Sequence, residues 1–239
     1  MTEWKARRFW KQVTVEPRDG GYGVKLDDRP VKTPGKSDLA VPSRALAEEI
    51  AAEWAAQGEV IAPLTMPFTR AANSAIEKVT PQRFEVAEML AAYGDSDLTC
   101  YRAGAPEGLV QRQAEAWDPL IEWAAETYGA RLIPVEGVMH QPQPDAALSA
   151  LSAEVHRMTP FELTGFHDLV SISGSLLIGL AATRDLLAVE ELWKRSRVDE
   201  TFQEEQWGVD EEAAELAAAK RTDFLRAHRF FHLLSGECH

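Results

Sequence analysis

A change of hydrophobic rhythm near residue 63 constrains this 239-residue chain more than any other feature. Before it, apolar residues come in short runs: Phe9, Val13 and Val15, then Val24 and Leu26, then Val31. Pro17-Arg18-Asp19-Gly20-Gly21 and Asp27-Asp28 separate the runs, and such clusters mark turns between strands. We read a small antiparallel meander, then a helix over about 44–57 whose Leu46, Ile50 and Trp54 share one face and can cover the strands. After Val60-Ile61-Ala62-Pro63 the spacing becomes helical. The expected fold is therefore α+β: a β-rich N-terminal domain over 1–62 with one covering helix, followed by a larger all-helical C-terminal domain over 63–239. A chain of this length can bury a core in each.

In the second part the pattern predicts helices over about 69–79, 106–128, 144–157, 185–205 and 210–234. Thr80-Pro81 is expected to open another, with Val86, Leu90 and Tyr93 facing a core and Gly94 ending it. Thr159-Pro160-Phe161-Glu162 has the residues of a capping box with proline at the first helical position, so one helix is expected from there to about Ala182. Its Gly165, Gly174 and Gly179 would let neighbouring helices approach, which suits the central helix of a bundle.

Charge and cysteine usage narrow the function classes. The formal net charge is −13, which disfavours the phosphate-neutralising surface that nucleic-acid binding needs. Up to Lys36 nine Lys/Arg meet five Asp/Glu, so the acidity belongs to the later part. Two cysteines, Cys100 and Cys238, cannot make a disulfide framework and fit a reducing compartment. The start, MTEWKARRFWKQV, lacks the apolar core of a secretion signal, and Leu169–Ala182 is too short to cross a bilayer. No membrane insertion is expected, and an intracellular location is.

Catalytic motifs fail on spacing. Gly35-Lys36-Ser37 resembles the end of a phosphate loop, but Pro30 stands where that loop needs glycine, so a polar turn is expected. Gly20-Gly21-Tyr22-Gly23 does not precede a helix in a strand–helix–strand unit and reads as a hairpin turn. Around Ser171 and Ser173 the glycines of a nucleophile elbow are missing; hydroxyls on a buried helix bond back to a carbonyl one turn earlier. His228 and His232, with Cys238 and His239 beyond, could bridge a metal, but the aromatic sequence between them reads as helix packing. Asp95 and Asp97 could act as paired carboxylates, yet no basic partner lies nearby in sequence, and capping of a following turn is expected instead. No catalytic residue, cofactor or metal is assigned.

One stretch resists a bland reading. Between Asp199 and Ala219 lie Asp199, Glu200, Glu204, Glu205, Asp210, Glu211, Glu212 and Glu215 with no Lys or Arg among them. Trp207-Gly208 sits inside, a large apolar group beside a helix break. The run is either a solvated acidic face or a docking site with one aromatic anchor, because aromatics and desolvated charges concentrate binding energy.

Several segments together carry a resemblance. They are Arg8-Phe9-Trp10, the run from Gly23 to Pro34, Met66-Pro67-Phe68-Thr69-Arg70-Ala71-Ala72-Asn73, Tyr93-Gly94-Asp95-Ser96-Asp97 with Tyr101-Arg102, Gln113 through Leu120, and Trp207-Gly208. The chain resembles the assembly chaperones that bind the alpha subunit of F-type ATP synthase in alpha-proteobacteria and mitochondria. That resemblance implies a non-enzymatic, nucleotide-independent protein with a small strand-rich domain before a helical one, cytoplasmic in bacteria and in the mitochondrial matrix in eukaryotic relatives. It also implies an important acidic residue shortly after the Trp-Gly pair. Ungapped matching places that residue at Glu211, with a second at Glu215. The chain departs from eukaryotic members at Glu212-Ala213-Ala214-Glu215, which leaves Asp210, Glu211 and Glu212 as alternatives. Partner binding is thus expected at Trp207, Asp210, Glu211, Glu212 and Glu215. The competing readings are a small intracellular hydrolase built on Asp95, Asp97 or the histidines, and an acidic adaptor for basic proteins.

Overall fold

The computed structural model describes residues 7–235. By packing the described residues form two compact units: those up to 83, 160–164 and from 230 onward, and residues 84–159 and 165–229. The rhythm changes at residue 63, whereas packing divides the chain at 83/84 and again inside two later helices.

The first unit holds the antiparallel sheet. Strands β1 (Val13–Arg18) and β2 (Gly21–Leu26) form a hairpin in the register Val13 opposite Leu26 and Val15 opposite Val24. The short β3 (Arg29–Pro30) and β4 (Ala40–Val41) both pair antiparallel with β2. Helix α1 (Arg44–Ala55) starts where the Ser43 hydroxyl accepts the Leu46 amide at 3.1 Å. It buries Leu46, Ala47 and Ile50 among Trp10, Val24, Leu26, Val31 and Val41, with Trp54 half-buried at the edge. Phe230 and Leu233 from the far end of the chain complete this core, and Phe230 stacks on Phe68 at 6.4 Å. The antiparallel sheet followed by a helical region is the α+β arrangement read from sequence.

Helix α2 (Pro67–Ser74) draws its N-terminal cap from α1. The Glu53 carboxylate accepts the Phe68 amide at 2.6 Å and both the amide and hydroxyl of Thr69 at 2.8 and 2.7 Å. Burial pushes the Glu53 carboxyl up and these donors pull it back. The helical path then continues through a π turn at Ala75–Val79 and a 3₁₀ turn at Thr80–Gln82 into α3 (Arg83–Ala91). Thr80-Pro81 therefore does not open a helix. Thr80 is itself helical, and its hydroxyl donates to the Ala75 carbonyl at 2.8 Å. A π turn takes up the misfit of a proline with no N–H to give. Nor does Gly94 cap the helix; it lies buried where an added Cβ would meet Leu176 and Leu148 at 3.2 and 3.3 Å.

In the second unit α4 (Glu107–Tyr128) buries Trp117, Leu120, Ile121 and Ala124, and Gly129 closes it at φ +68°. Helix α5 (Asp145–Arg157) follows. The single helix expected from Pro160 to Ala182 is two: α6 (Pro160–Ser173) and α7 (Leu176–Thr183). Gly174 turns the chain at φ +71°, and Ser175 caps α7 by accepting the Ile178 amide at 3.0 Å. The helix expected over 185–205 is likewise α8 (Val189–Arg195) and α9 (Val198–Trp207), separated at Ser196. Helix α10 (Glu211–Leu233) ends the described chain. A core of Leu120, Leu169, Ile178, Leu192, Trp193 and Phe224 joins α4, α6, α7, α8 and α10. The helical part also contains a parallel pair of two-residue strands, β5 (Tyr101–Arg102) with β6 (Val135–Glu136), which the sequence pattern did not announce. No helix among the described residues is long and apolar enough to cross a membrane.

Candidate functional site

The acidic run folds into a helical hairpin. Helix α9 lies on α4 through contacts that are mostly polar: Arg112 pairs with Glu205 at 2.6 Å and covers the Phe202 ring at 5.3 Å, while the Gln113 amide donates to Asp199 at 2.6 Å. Arg197 pairs with Glu200 and Glu204 at 3.0 and 3.3 Å. The helix stops at Gly208, whose φ of +90° and ψ of 166° suit glycine and turn the chain outward. Asp210 then accepts the Ala213 amide at 3.0 Å and starts α10.

The turn leaves Trp207 80% exposed and Val209 66% exposed, with Leu216 also on the surface. Asp210, Glu211, Glu212 and Glu215 are all exposed. Among the described residues none of these four carboxylates has an ion-pair partner. Glu211 and Glu212 occupy the first turn of α10, where the helix dipole favours negative charge. The site residues expected from sequence thus lie on one turn and the first helical turns beyond it. Asp210 differs from the others because its carboxylate serves as the cap. Val209 and Leu216 share this exposed surface and were not among the residues expected from sequence, although an apolar residue inside so acidic a run is a legible signal.

The other candidates are occupied structurally. Asp97 is fully buried and accepts four hydrogen bonds: from the Thr99 amide at 2.9 Å, the Thr99 and Ser175 hydroxyls at 2.8 Å, and the Leu177 amide at 3.0 Å. It holds the starts of a 3₁₀ turn and of α7 together. Burial pushes its carboxyl up against the pull of those donors. Asp95 accepts the Gln143 amide at 2.8 Å and faces His140 at 3.3 Å. The two carboxylates cap and brace, as their expected structural role has it.

Ser173 donates to the Leu169 carbonyl at 2.6 Å, the back-bond expected of a hydroxyl on a buried helix. His228 faces Asp185 at 3.0 Å. Cys238 and His239 lie outside the described residues. Cys100 is a free, buried thiol whose pKa burial pushes up to about 12, so it stays protonated. At Gly35-Lys36-Ser37 the Gly35 amide donates to the Glu77 carboxylate, and Thr33 and Ser37 close a polar turn.

Comparison with known proteins bears on the whole chain. Residues 7–125 match the family model described as ATP12 chaperone protein. The crystal structure of Atp12 from Paracoccus denitrificans superposes with a TM-score of 0.94 at 52% sequence identity, covering 97% of this chain and 100% of that one. The Atu1473 protein of Agrobacterium tumefaciens gives a TM-score of 0.90 at 42% identity, over 97% of this chain and 86% of that one. A curated relative, the mitochondrial protein atp12 of Schizosaccharomyces pombe, is 24% identical over 223 residues, 88% of this chain and 76% of the relative.

Proposed function

Because the chain belongs to the ATP12 chaperone family, we propose that it is an assembly chaperone of F-type ATP synthase that holds the unassembled alpha subunit through the turn between α9 and α10. The observation that carries this reading is Trp207, 80% exposed beside the carboxylates of Glu211, Glu212 and Glu215, which have no ion-pair partner among the described residues. An exposed indole in a field of one sign is an anchor without a pocket of its own, which suits a partner that supplies both the pocket and the opposite charge. Subunits that normally pack against neighbours expose apolar surface when alone, and such surface aggregates unless covered. Release needs no nucleotide hydrolysis if the incoming beta subunit competes for the same surface, because mass action then drives the exchange.

On this reading the protein performs no catalysis and works in the bacterial cytoplasm, with the mitochondrial matrix as the place of eukaryotic relatives. The hydrolase alternative draws no support from Asp97, whose lone pairs are taken up by four internal donors. The deciding experiment is co-expression with tagged alpha and beta subunits. The alpha subunit is expected to be retained without added nucleotide and the beta subunit ignored; equal retention of both, or of neither, would overturn the proposal. Ser173→Ala and His228→Ala are expected to retain the alpha subunit as well as the unmodified chain does. A lost interaction with an unchanged melting curve would expose chemistry at those residues.

A further inference from the structure

From Arg197 through Asp223 no residue is buried; the chain leaves the core after Ser196 and returns to it at Phe224. This segment comprises all of α9, the Gly208 turn and the first half of α10. Between the two helices and α8 lies a groove of about 260 Å³, lined by Trp193, three alanines of α10 and four charged side chains of which three are basic, where packed helices would interdigitate. Helical stability in proteins comes chiefly from burying an apolar face, and this hairpin only half-buries Val198, Phe202, Ala214 and Ala217.

The two halves of the hairpin persist for different reasons. The first half of α10, Glu211-Glu212-Ala213-Ala214-Glu215-Leu216-Ala217-Ala218-Ala219, is rich in alanine, carries acids at its N-terminus, and extends a helix already anchored by Phe224 and Ala227. It therefore needs no nucleation of its own. Helix α9 has ten residues, ends at a glycine, and is held to α4 by the half-buried Phe202, the Gln113–Asp199 hydrogen bond and pairs such as Arg112–Glu205, the last worth little in water.

We propose that residues 197–223 form a docking arm that opens locally in the free chain and is ordered by a partner surface carrying basic and apolar side chains. The charge pattern names that chemistry. Asp199, Glu200, Glu204, Glu205, Asp210, Glu211, Glu212 and Glu215 outnumber Arg197, Lys220 and Arg221, and the exposed apolar groups Trp207, Val209 and Leu216 stand among them. A partner presenting Lys or Arg around apolar side chains would neutralise the acids at the Gly208 turn and cover Trp207, Val209 and Leu216 in one step. Ordering a segment on contact lowers the affinity gained per contact, which suits a complex that must later release its cargo. The identity of that partner as the alpha subunit rests on the function proposed above.

Hydrogen exchange followed by mass spectrometry tests this on the full chain, free and co-purified with the alpha subunit. In the free chain, amides over 200–212 are expected to exchange at least about a hundredfold faster than those over 166–172 and 177–182. In the complex they are expected to slow at least about tenfold while the core amides do not change. An arm as protected as the core in the free chain overturns the inference whatever the partner does. Capture of the alpha subunit without slowing in the arm overturns the inference, and with it the turn as the contact, and leaves the alpha subunit standing as the cargo. Failure to capture the alpha subunit overturns the proposed function, and the arm's partner with it.

Discussion

Asp97→Ala is expected to destabilise the second unit by about 3–5 kcal/mol, because each buried donor left without an acceptor costs about 1–3 kcal/mol. The substitution leaves the amides of Thr99 and Leu177 and the hydroxyls of Thr99 and Ser175 without an acceptor in a site closed to water. For a chain of this size that corresponds to a drop in Tm of roughly 6–20 °C. Ser175→Ala removes one cap and one donor and is expected to cost about 1 kcal/mol. Asp95→Ala, at a half-exposed position, should fall within about 1 kcal/mol of the unmodified chain. The measurement is a thermal melt followed by circular dichroism. An Asp97→Ala melt within about 2 °C of the original would mean that the buried carboxylate holds nothing together.

Charge reversal in the arm is expected to act in the opposite way, sparing the fold and removing the interaction. Glu211 is exposed and has no ion pair among the described residues, so Glu211→Lys forfeits only its favourable place in the helix dipole, about 0.3–1 kcal/mol. At a partly desolvated contact the same change sets like charges against each other and costs several kcal/mol, which weakens binding by roughly a hundredfold or more. Glu211→Lys and Trp207→Ala are both expected to melt within a few degrees of the unmodified chain and to lose the alpha subunit in co-purification. Glu200→Lys, one side of an exposed pair with Arg197, is expected to keep it. Full retention by Glu211→Lys would reduce the acidic run to a solvated surface.

The strands were legible because their evidence is local: a turn cluster and an alternating pair of valines mean the same thing in any context. Helix breaks were less so. Gly174 inside an apolar run is compatible with an uninterrupted helix, and what ends α6 there is a cap supplied by Ser175 and fixed by Asp97, a residue far away in sequence. The same holds for α2, whose first amides are taken by Glu53 from another helix. At Thr80-Pro81 the local signal pointed the wrong way, since a helix already under way absorbed the proline by widening one turn. In the candidate site Trp207-Gly208 and the acids were visible as composition. The cap role of Asp210 and the absence of any fully buried residue from Arg197 to Asp223 emerge only from the folded structure.

The exposure of Trp207 also makes the chain report on itself optically. Among the described tryptophans Trp10, Trp117 and Trp193 are buried at 3%, 0% and 7% exposure, Trp54 and Trp123 are half-buried, and Trp207 offers its indole most freely to solutes. Its surroundings are anionic, and a local field concentrates small ions of opposite sign. Caesium should therefore quench this fluorophore efficiently and iodide poorly, with the gap between the two closing as added salt screens the carboxylates. A bound partner that covers the indole would suppress quenching by both ions and by neutral acrylamide alike. The part of the quenching that a partner removes, not the total emission, would then report occupancy of the arm.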